Sequence, residues 1–452
     1  MPSRFSLADV SEKKTVSCPV HQSILDAESD RSVKSDLARR ASTRSGTEGS
    51  EPVRFGSSPM KACMVAYTGY DSDNRVRRYA ETLAKQGCRV DAIALGGSEL
   101  APRGVLNGVQ VFRIQHRIRN EKSKFAYLGK LLLFFIRSMF LLMREHMKEP
   151  YDLIHVHTVP DFEVFAAWYP KLSGAKIILD IHDILPEFYA SKFNASPNSI
   201  IFKLLVAMER MSTAFSDHVI AANHIWEERL KDRSVDSAKC TTFLNYPDTD
   251  VFKRQGRNRN DKKFVLLYPG SINHHQGLDI GIRAFALIKD QVPNAEFHIY
   301  GTNGDQLSLL RGLIPDLGLE GRVYLKDSIP FDKIPSVIEN ADLGIVPKRK
   351  SGFGNEAFST KILEFMYMNV PVIVPNTAID IYYFNESVVK FFQAEDEQSL
   401  ADAMLLLINN AELRKSLVRN ASDFVRRYTW DVNQGSYLDL VESLVHRNGH
   451  QA

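Results

Sequence analysis

The sequence predicts an α/β protein of two doubly wound, Rossmann-like domains. From Lys61 onward, short apolar runs alternate with longer amphipathic runs, which is typical of β-α units around a parallel sheet. The alternation stops at a polar stretch over residues 247–263 and then restarts, which predicts a second domain. The 452 residues, 44% apolar and 25% charged, are enough for two cores of ordinary size.

Residues 1–59 precede this pattern and are predicted to form a disordered tail. They are rich in Ser, Arg, Asp and Glu, and their few apolar residues bury too little surface to offset the entropy of ordering. They contain no apolar run typical of a signal peptide. The scattered cysteines, at positions 18, 63, 88 and 240, form neither a close metal-ligand pair nor a disulfide framework, which favours a reducing cytoplasm.

The first domain is predicted over residues 60–246, with strands at short apolar runs and helices at amphipathic runs. The predicted strands are Lys61–Tyr67, Arg89–Leu95, Val109–Ile114, Leu153–His157, Lys176–Ile181 and His218–Ala221. The predicted helices are Arg75–Gln86, which Gly87 ends, and three more near residues 127–147, 161–172 and 200–214.

The helix near residues 127–147 is apolar enough to be compared with a transmembrane span. Lys130, Arg137 and Arg144 recur every seven residues, so they lie along one helix face and leave no run of about 18 uncharged apolar residues. The pattern predicts an amphipathic helix. Two interpretations stay open: a core helix with a solvated basic stripe, or, with the basic residues just upstream, a contact of residues 117–147 with an anionic membrane surface.

The polar stretch over residues 247–263 is predicted to be an interdomain linker, and the second domain is predicted over residues 264–427. Its predicted strands are Phe264–Tyr268, Glu296–Tyr300, Val323–Leu325 and Leu343–Val346. Its predicted helices are Leu278–Asp290, Gln306–Leu313, Asp332–Asn340 and Glu397–Asn409, and a last helix begins at Trp430.

The most informative stretch runs from Ser351 to Glu364. It follows a strand and precedes a helix predicted over Phe358–Met368, so it lies at the carboxyl end of a sheet, where open α/β folds bind ligands. The backbone N–H groups of Phe358, Ser359 and Thr360 at the helix start have no helical acceptor and favour a diphosphate there.

Two glutamates flank this helix start. Glu356 and Glu364 are eight residues apart, roughly 12 Å along a helix, which is too far for an adjacent carboxylate pair. The spacing suits a nucleotide sugar, with one carboxylate at the sugar and the other at the ribose. Lys361 lies between them and can neutralise phosphate charge. An ordinary surface helix would carry the same residue types, so these residues alone leave both interpretations open.

Two further loops of the second domain lead to the same rim. The loop after the first strand contains Gly270, Ser271, Gln276 and Gly277, and Gly301 follows the next strand. Glycines allow the backbone to approach a ligand closely, although a single glycine-rich loop is weak evidence. Three converging loops predict a donor-binding site.

The facing rim of the first domain carries the segment Asp180–Glu187 directly after a strand. His182 is the polar candidate for contact with an acceptor, the molecule that would receive the sugar. Asp183 and Glu187 are candidates beside it on the same acceptor side, although Asp183 also fits a turn cap. His155 and His157 alternate to one face of the preceding strand, as zinc ligands would. No third ligand follows at a suitable spacing, so we reject a zinc site.

These motifs together resemble glycosyltransferase family 4, whose members have the GT-B fold. The resemblance extends from about Lys61 to Val445, and its most specific element is the pair Glu356 and Glu364 separated by seven residues, with Phe358 and Ser359 in place. The supporting segments are Asp73–Val76, His155–Asp161, the His182 loop, Asn245–Asp248, Gly277 with Ala284, and Tyr428–Trp430.

The resemblance implies two Rossmann-like domains facing a central cleft, with a C-terminal helix over residues 428–448 that crosses back onto the first domain. It implies a retaining hexosyltransferase of the bacterial polysaccharide type that uses a nucleotide diphosphate sugar. By the same resemblance Glu356 contacts the donor sugar, Glu364 contacts the ribose, the amides of Phe358 and Ser359 bind phosphate, and His182 contacts the sugar or the acceptor.

The sequence departs from the family at one place. Many members carry an Arg and a Lys on the diphosphate where this chain has Ser271 and Gln276. We expect Lys361, with Lys348, to supply the missing positive charge. The implied mechanism is front-face substitution without a protein nucleophile, and no metal cofactor is expected because no Asp-x-Asp run adjoins a predicted phosphate loop.

The expected acceptor is a saccharide or a lipid-linked saccharide used in cell-surface polysaccharide or glycolipid synthesis. The expected location is the cytoplasm, peripherally at the inner face of the cell membrane. The net charge of +3 gives no field that would attract nucleic acid. The main alternative is a catalytically silent nucleotide-sugar-binding scaffold. A Rossmann dehydrogenase is disfavoured because the turn at Thr68–Asp73 lacks the three-glycine fingerprint.

Overall fold

The computed structural model describes residues 59–97, 100–116, 124–193, 195–301, 304, 306–350 and 352–446. The predicted disordered tail, apart from residue 59, lies outside these ranges, as do the basic residues over 117–123 and Ser351.

The first domain is built on an eight-stranded sheet in the order β3-β4-β2-β1-β5-β6-β7-β8. Its strands are β1 Lys61–Gly69, β2 Arg89–Gly96, β3 Arg103–Leu106, β4 Val109–His116, β5 Leu153–His157, β6 Lys176–Ile181, β7 His218–Ala221 and β8 Cys240–Thr242. Its helices are α1 Asn74–Lys85, α2 Lys124–Lys148, α3 Trp168–Leu172, α4 Leu185–Phe193, α5 Ile200–Phe215 and α6 His224–Arg233, with a 3-10 helix over Asp161–Ala167. The strand order reverses between β1 and β5, so the switch point lies there.

The hairpin of β3 and β4 is the antiparallel pair of this sheet, and the sequence analysis missed β3. Leu106 pairs with Val109, so the turn consists of Asn107 and Gly108, whose φ angles are 48° and 82°. Positive φ at both positions is the type I′ geometry that Asn-Gly favours, and this dipeptide is a strong hairpin signal.

The second domain is built on a six-stranded parallel sheet in the order β11-β10-β9-β12-β13-β14. Its strands are β9 Phe264–Pro269, β10 Ala295–Tyr300, β11 Val323–Lys326, β12 Leu343–Ile345, β13 Val372–Pro375 and β14 Lys390–Phe392. Its helices are α7 Leu278–Ile288, α8 Leu307–Asp316, α9 Ile334–Glu339, α10 Thr360–Tyr367, α11 Ala378–Tyr383, α12 Glu397–Asn409 and α13 Ala411–Val425. The predicted fold class, two Rossmann-like doubly wound domains, is confirmed.

The segment over residues 247–263 lies against the second domain. Phe252 is buried in the core of that domain, and Arg257 and Arg259 each form a 2.6 Å ion pair with Asp342. The carboxylate of Glu339 accepts hydrogen bonds from backbone N–H groups of residues 255 and 256. Asp250 pairs in addition with Lys85 of α1 at 2.8 Å, so the polar residues of this segment form ion pairs with both domains.

The last helix, α14 (Trp430–His446), packs on the first domain. Tyr437 is fully buried, and its ring centroid lies 4.6 Å from that of Tyr79 on α1. The indole of Trp430 donates a 2.8 Å hydrogen bond to Thr82 of α1, and its backbone N–H donates to Pro247 O over 3.1 Å. The chain therefore crosses between the domains twice.

Replacement of Trp430 by Ala is expected to destabilise the protein by about 3–5 kcal/mol, because it empties a buried aromatic site and leaves the hydroxyl of Thr82 without its donor. The measurement is the urea midpoint of unfolding by circular dichroism. Val432→Ala on the same helix, where the side chain is 59% exposed, is the control and should change stability by less than about 0.5 kcal/mol. Equal midpoints for the two variants would contradict the assigned packing.

Candidate active site at the interdomain cleft

A buried polar cluster lies at the carboxyl ends of β5 and β6, centred on Asp180. Arg75, at the start of α1, donates to both carboxylate oxygens of Asp180 over 2.8 and 2.6 Å. His157 Nδ1 and His182 Nε2 lie 3.0 and 2.9 Å from Asp180 Oδ2. Burial acts to raise the pKa of Asp180, but the charge and hydrogen bonds of Arg75, with contributions from the histidines, hold that pKa well below its usual range.

His182 is the member of this cluster that reaches the cleft, with 21% of its side chain exposed. Its backbone N–H donates to Thr158 Oγ1 over 3.1 Å, and the ionised Asp180 accepts from Nε2. Nε2 carries a proton in this contact, because an ionised carboxylate can only accept a hydrogen bond. Among the residues that the structure describes, the hydrogen bonds of His182 all remain within the first domain.

The fold supplies the third potential metal ligand that sequence spacing did not show. Ligand atoms of His155, His157 and Asp180 lie within 4.8 Å of one another. The reason for which zinc was rejected is therefore wrong. However, both oxygens of Asp180 are bound by Arg75, and that fixed positive charge opposes a second cation. Burial lowers the pKa of both histidines and so favours the neutral imidazole, which is the form that binds metals; it is the charge of Arg75 that disfavours a cation here. A metal-free site stays a prediction.

The two acidic residues predicted beside His182 have different surroundings. Asp183 is half-buried, and burial raises the pKa of its carboxyl group. Glu187, on α4, forms ion pairs with Arg233 at 2.5 Å and with Arg229 at 3.5 Å. Two guanidinium groups therefore contact Glu187, and its contact with an acceptor stays a prediction.

In the second domain, Lys361 lies over the loop that follows β9. Its Nζ is 5.2 Å from the ring centroid of Tyr268, and a Cβ at Gly270 would lie 2.9 Å from the same Nζ, so a side chain there would displace the amine. Burial lowers the pKa of Lys361. The fold thus brings this amine to the loop where the family cations are missing.

Glu364 follows Lys361 by three residues on α10 and is half-buried. Burial raises the pKa of its carboxyl group to about 7, although the nearby Lys361 and Thr360 act to lower it. The helix begins at Thr360, two residues later than predicted, with Ser359 as its N-cap. The side chain of Ser359 makes no capping bond, and its buried Oγ has no partner among the described residues. The start of α10 keeps the donor groups that a phosphate requires.

Lys348 does not share the task expected of it. Its buried Nζ forms a 2.9 Å ion pair with Asp380 and donates to Ala357 O over 2.9 Å. The expectation that Lys348 helps to neutralise a diphosphate is wrong, because Asp380 already compensates its charge. Through its hydrogen bond to Ala357 O, Lys348 stabilises the loop that carries Glu356.

The glycines of the donor loops allow the loops to pack on one another. A Cβ at Gly301 would clash with the carbonyl oxygen of Gly270, and one at Gly277, where φ is 63°, would clash with Pro347 O. Ser271 is exposed beside them, and Gln276 Nε2 lies 3.0 Å from His275 Nε2. The three predicted loops therefore converge at one rim.

Glu356 lies at the boundary between the domains. Its Oε1 is 2.5 Å from Nη2 of Arg229 on α6, and its carbonyl oxygen accepts a 3.1 Å hydrogen bond from Asn223. The neighbouring Phe353 packs against Phe188 and Trp226, with ring centroids 5.3 and 5.4 Å away. A loop of the second domain thus docks into the first.

Sequence reasoning missed Arg75 and Arg229. Arg75 had a signal in its place within the segment Asp73–Val76, which supports the family resemblance, although its partner Asp180 lies 105 positions away. Arg229 had none: it lies in a run of charged residues on α6, and its contact with Glu356 spans 127 positions.

Comparison with known proteins identifies the class of enzyme. Residues 73–251 match the family model described as Glycosyltransferase Family 4, and residues 250–424 match the model described as Glycosyl transferases group 1. The chain is a glycosyltransferase. It belongs with the family 4 and group 1 enzymes, as the resemblance predicted, and the two matches meet at residues 250–251.

The glycosyltransferase has relatives of similar length. It is 24% identical over 375 residues to an uncharacterized glycosyltransferase of Methanocaldococcus jannaschii, with 78% of this chain and 89% of that protein covered. It is 27% identical over 223 residues to the human GDP-Man:Man(3)GlcNAc(2)-PP-Dol alpha-1,2-mannosyltransferase, with 45% and 44% covered. Its fold is similar to sucrose-phosphate synthase of Thermosynechococcus elongatus, with a TM-score of 0.68, 16% identity and 84% and 98% coverage. The glycosyltransferase therefore has the GT-B fold.

Proposed function

We propose that this glycosyltransferase is a retaining enzyme that moves a hexose-type sugar from a nucleotide diphosphate to a saccharide or lipid-linked saccharide. One observation carries the donor assignment: Lys361, in the first turn of α10 and one turn before Glu364, lies over the loop of Gly270. The human relative is named for a nucleotide diphosphate sugar, GDP-mannose, which supports this donor class.

The donor diphosphate lies at the start of α10 in this proposal. The unpaired N–H groups of the first turn and the positive end of the helix dipole favour two negative charges there. Lys361 replaces the cations that Ser271 and Gln276 do not supply. Glu364, one turn into the helix, accepts the ribose hydroxyls, and Glu356 accepts hydroxyls of the sugar.

The reaction proposed is substitution on the front face of the sugar. The bond from the anomeric carbon to the leaving phosphate breaks as the acceptor oxygen forms its bond from the same side, and the leaving phosphate oxygen takes the acceptor proton. Lys361 and the fixed N–H groups stabilise the charge that develops on that phosphate. His182 orients the sugar or the acceptor from the opposite side. We propose that no metal takes part.

The helix α2 supports a lipid-linked acceptor. By length and composition it could cross a membrane, but it packs on the first domain through the buried Leu131, Phe134 and Leu142. Its outer face exposes Leu133, Ile136, Phe140, Met147 and further apolar side chains. An apolar row on a helix that lies along a domain suits the interfacial region of a bilayer.

An arginine-lined groove adjoins this row between α2 and β4. The groove, of about 430 Å³, is lined by Arg103, Arg113, Arg137 and Arg144 together with Phe140. Asp71 pairs with Arg113 and Glu145 with Arg144, whereas Arg137 donates to the neutral carbonyl of Ile114. The surplus positive charge beside an exposed apolar row fits anionic lipid head groups, so we propose a peripheral location at the cytoplasmic face of a membrane and a role in cell-surface polysaccharide or glycolipid synthesis.

A catalytically silent nucleotide-sugar-binding scaffold is the second candidate, because Ser271 and Gln276 replace two family cations. Turnover distinguishes the two. A scaffold binds a donor but releases no nucleoside diphosphate when acceptors are added.

The first test is ligand-detected binding of UDP-, GDP- and ADP-sugars without metal, followed by turnover with the donor that binds. Lys361→Ala is expected to weaken donor binding by about 10- to 100-fold, the cost of losing a charge-assisted hydrogen bond. Lys415→Ala, whose side chain is 74% exposed on α13, is the control. Wild-type donor affinity and turnover in the Lys361 variant would refute the role given to this amine.

Donor binding is expected to depend on the ionisation of Glu364. The carboxylate form accepts hydroxyl hydrogen bonds, so with a pKa of about 7 the affinity should rise about tenfold from pH 6 to pH 8. A nucleotide sugar is the correct probe, since its diphosphate diester has no proton that titrates in this range. Glu364→Gln should remove the slope, and Glu386→Gln on the surface should keep it. A pH-independent wild type would contradict this role.

Membrane association is tested by co-sedimentation with phosphatidylglycerol vesicles at low salt. Binding is expected to fall about tenfold for Phe140→Asp, because a charge replaces an apolar side chain that is 55% exposed on α2. Leu309→Asp on α8, 49% exposed in the second domain, serves as the control. Equal sedimentation of the three proteins, or none by wild type, would remove the support for a membrane-bound acceptor.

A further inference from the structure

Three residues of helix α6 and its N-cap, in the first domain, contact the loop of the second domain that carries Phe353 and Glu356. Asn223, its N-cap, donates to the carbonyl of Glu356, Trp226 packs against Phe353, and Arg229 pairs with the carboxylate of Glu356. These residues are spaced by three, so they follow one side of the helix. Glu356 is thus held by its backbone and its side chain from the opposite domain.

Arg229 is itself held within the first domain. Its Nη1 lies 3.5 Å from Oε1 of Glu187, and the same oxygen is 2.5 Å from Arg233 Nη1. Arg233 also pairs at 2.6 Å with Glu209, whose side chain is only 1% exposed. The resulting row of alternating charges begins in the core of the first domain and ends on Glu356.

The ion pair uses one oxygen of Glu356. Oε1 contacts Arg229, while Oε2 has no hydrogen bond among the described residues. A carboxylate can accept hydroxyl hydrogen bonds on the second oxygen while the first remains paired. Arg229 therefore fixes the orientation of Glu356 without blocking its proposed contact with the donor sugar.

We propose that Arg229 is a positioning residue that makes the orientation of Glu356 depend on closure of the cleft. This inference rests on the proposed function. The 2.5 Å contact joins side chains of different domains, so it is lost when the domains move apart by a few ångströms. Glu356 is then oriented to accept the hydroxyl groups of the donor sugar only when the first domain, which binds the acceptor, has closed onto the second.

Nucleotide binding and placement of the sugar depend on different residues in this proposal. The nucleotide part is bound by Lys361, Glu364 and the start of α10, none of which contacts Arg229. Loss of Arg229 leaves Phe353 and Asn223 to hold the loop, so the fold and the nucleotide affinity remain. The sugar alone is misplaced, and misplacement by about 1 Å can cost up to about 100-fold in rate.

The experiment compares Arg229→Gln, Arg229→Lys and the control Arg283→Gln, which alters an exposed arginine on α7. For each protein we would measure kcat and KM with the donor and acceptor, and the dissociation constant of the matching nucleoside diphosphate. Arg229→Gln is expected to lower kcat about 10- to 100-fold and to change nucleoside diphosphate affinity by less than about twofold. Arg229→Lys should recover part of kcat, and Arg283→Gln should match wild type.

Two results would overturn the inference. One is a wild-type kcat for Arg229→Gln, and the other is an equal loss of nucleoside diphosphate affinity and kcat, which would indicate general disruption. A wild-type protein that turns over no donor would instead refute the proposed function, and the inference with it. An active wild type with an unaffected Arg229 variant refutes the inference alone.

Discussion

The buried pair of Arg75 and Asp180 fixes the first domain at the point where its strands meet the cleft. Arg75 also donates to Phe243 O over 2.9 Å, and Arg78 on the same helix donates to the carbonyls of Leu244 and Tyr246. One helix thus joins the end of β6 to the segment through which the chain leaves the domain. Removal of one partner would leave a buried charge, which typically costs about 3–5 kcal/mol.

In the second domain, the charged side chains at the cleft are affected mainly by burial and not by a buried ion pair. At the proposed donor site, the start of α10, burial lowers the pKa of Lys361 and raises that of Glu364, so desolvation disfavours the charged form of both side chains. A bound diphosphate would favour the charged form of the lysine, and hydroxyl donors would favour the charged form of the glutamate. The site is therefore matched to a ligand that carries negative charge beside neutral hydroxyl groups.

Much of the fold could be predicted because buried parallel strands are continuous apolar runs. The bounds of β5, β6 and β7 agree with the prediction to the residue, and the carboxyl ends of the strands located both rims. The strands that were missed, β3, β8, β13 and β14, contain three or four residues each, but β7 and β12 are as short and were predicted, so length alone does not explain the misses. For β3 the Asn-Gly turn was available and was overlooked.

The site was predictable where it depends on local sequence and not where it depends on packing. The helix start, Glu364 and Lys361 follow from one stretch of chain, whereas the ion pairs that engage Glu187, Lys348 and Glu356 join residues that no pattern relates. Lys348 illustrates the limit: its neighbour Arg349 and the following Lys350 suggest an anion site, and only the fold shows Asp380 beside it.

The return of α14 to the first domain restricts how the cleft can open. The chain leaves the first domain near Pro247 and re-enters it at Trp430, and the backbone hydrogen bond between these residues places the two crossings side by side. Two adjacent covalent connections prevent free tumbling of one domain on the other. They still allow the domains to rotate about the crossings. In such a rotation the rim farthest from the crossings moves most, so a small change of angle at the crossings moves the ligand-binding rim by ångströms.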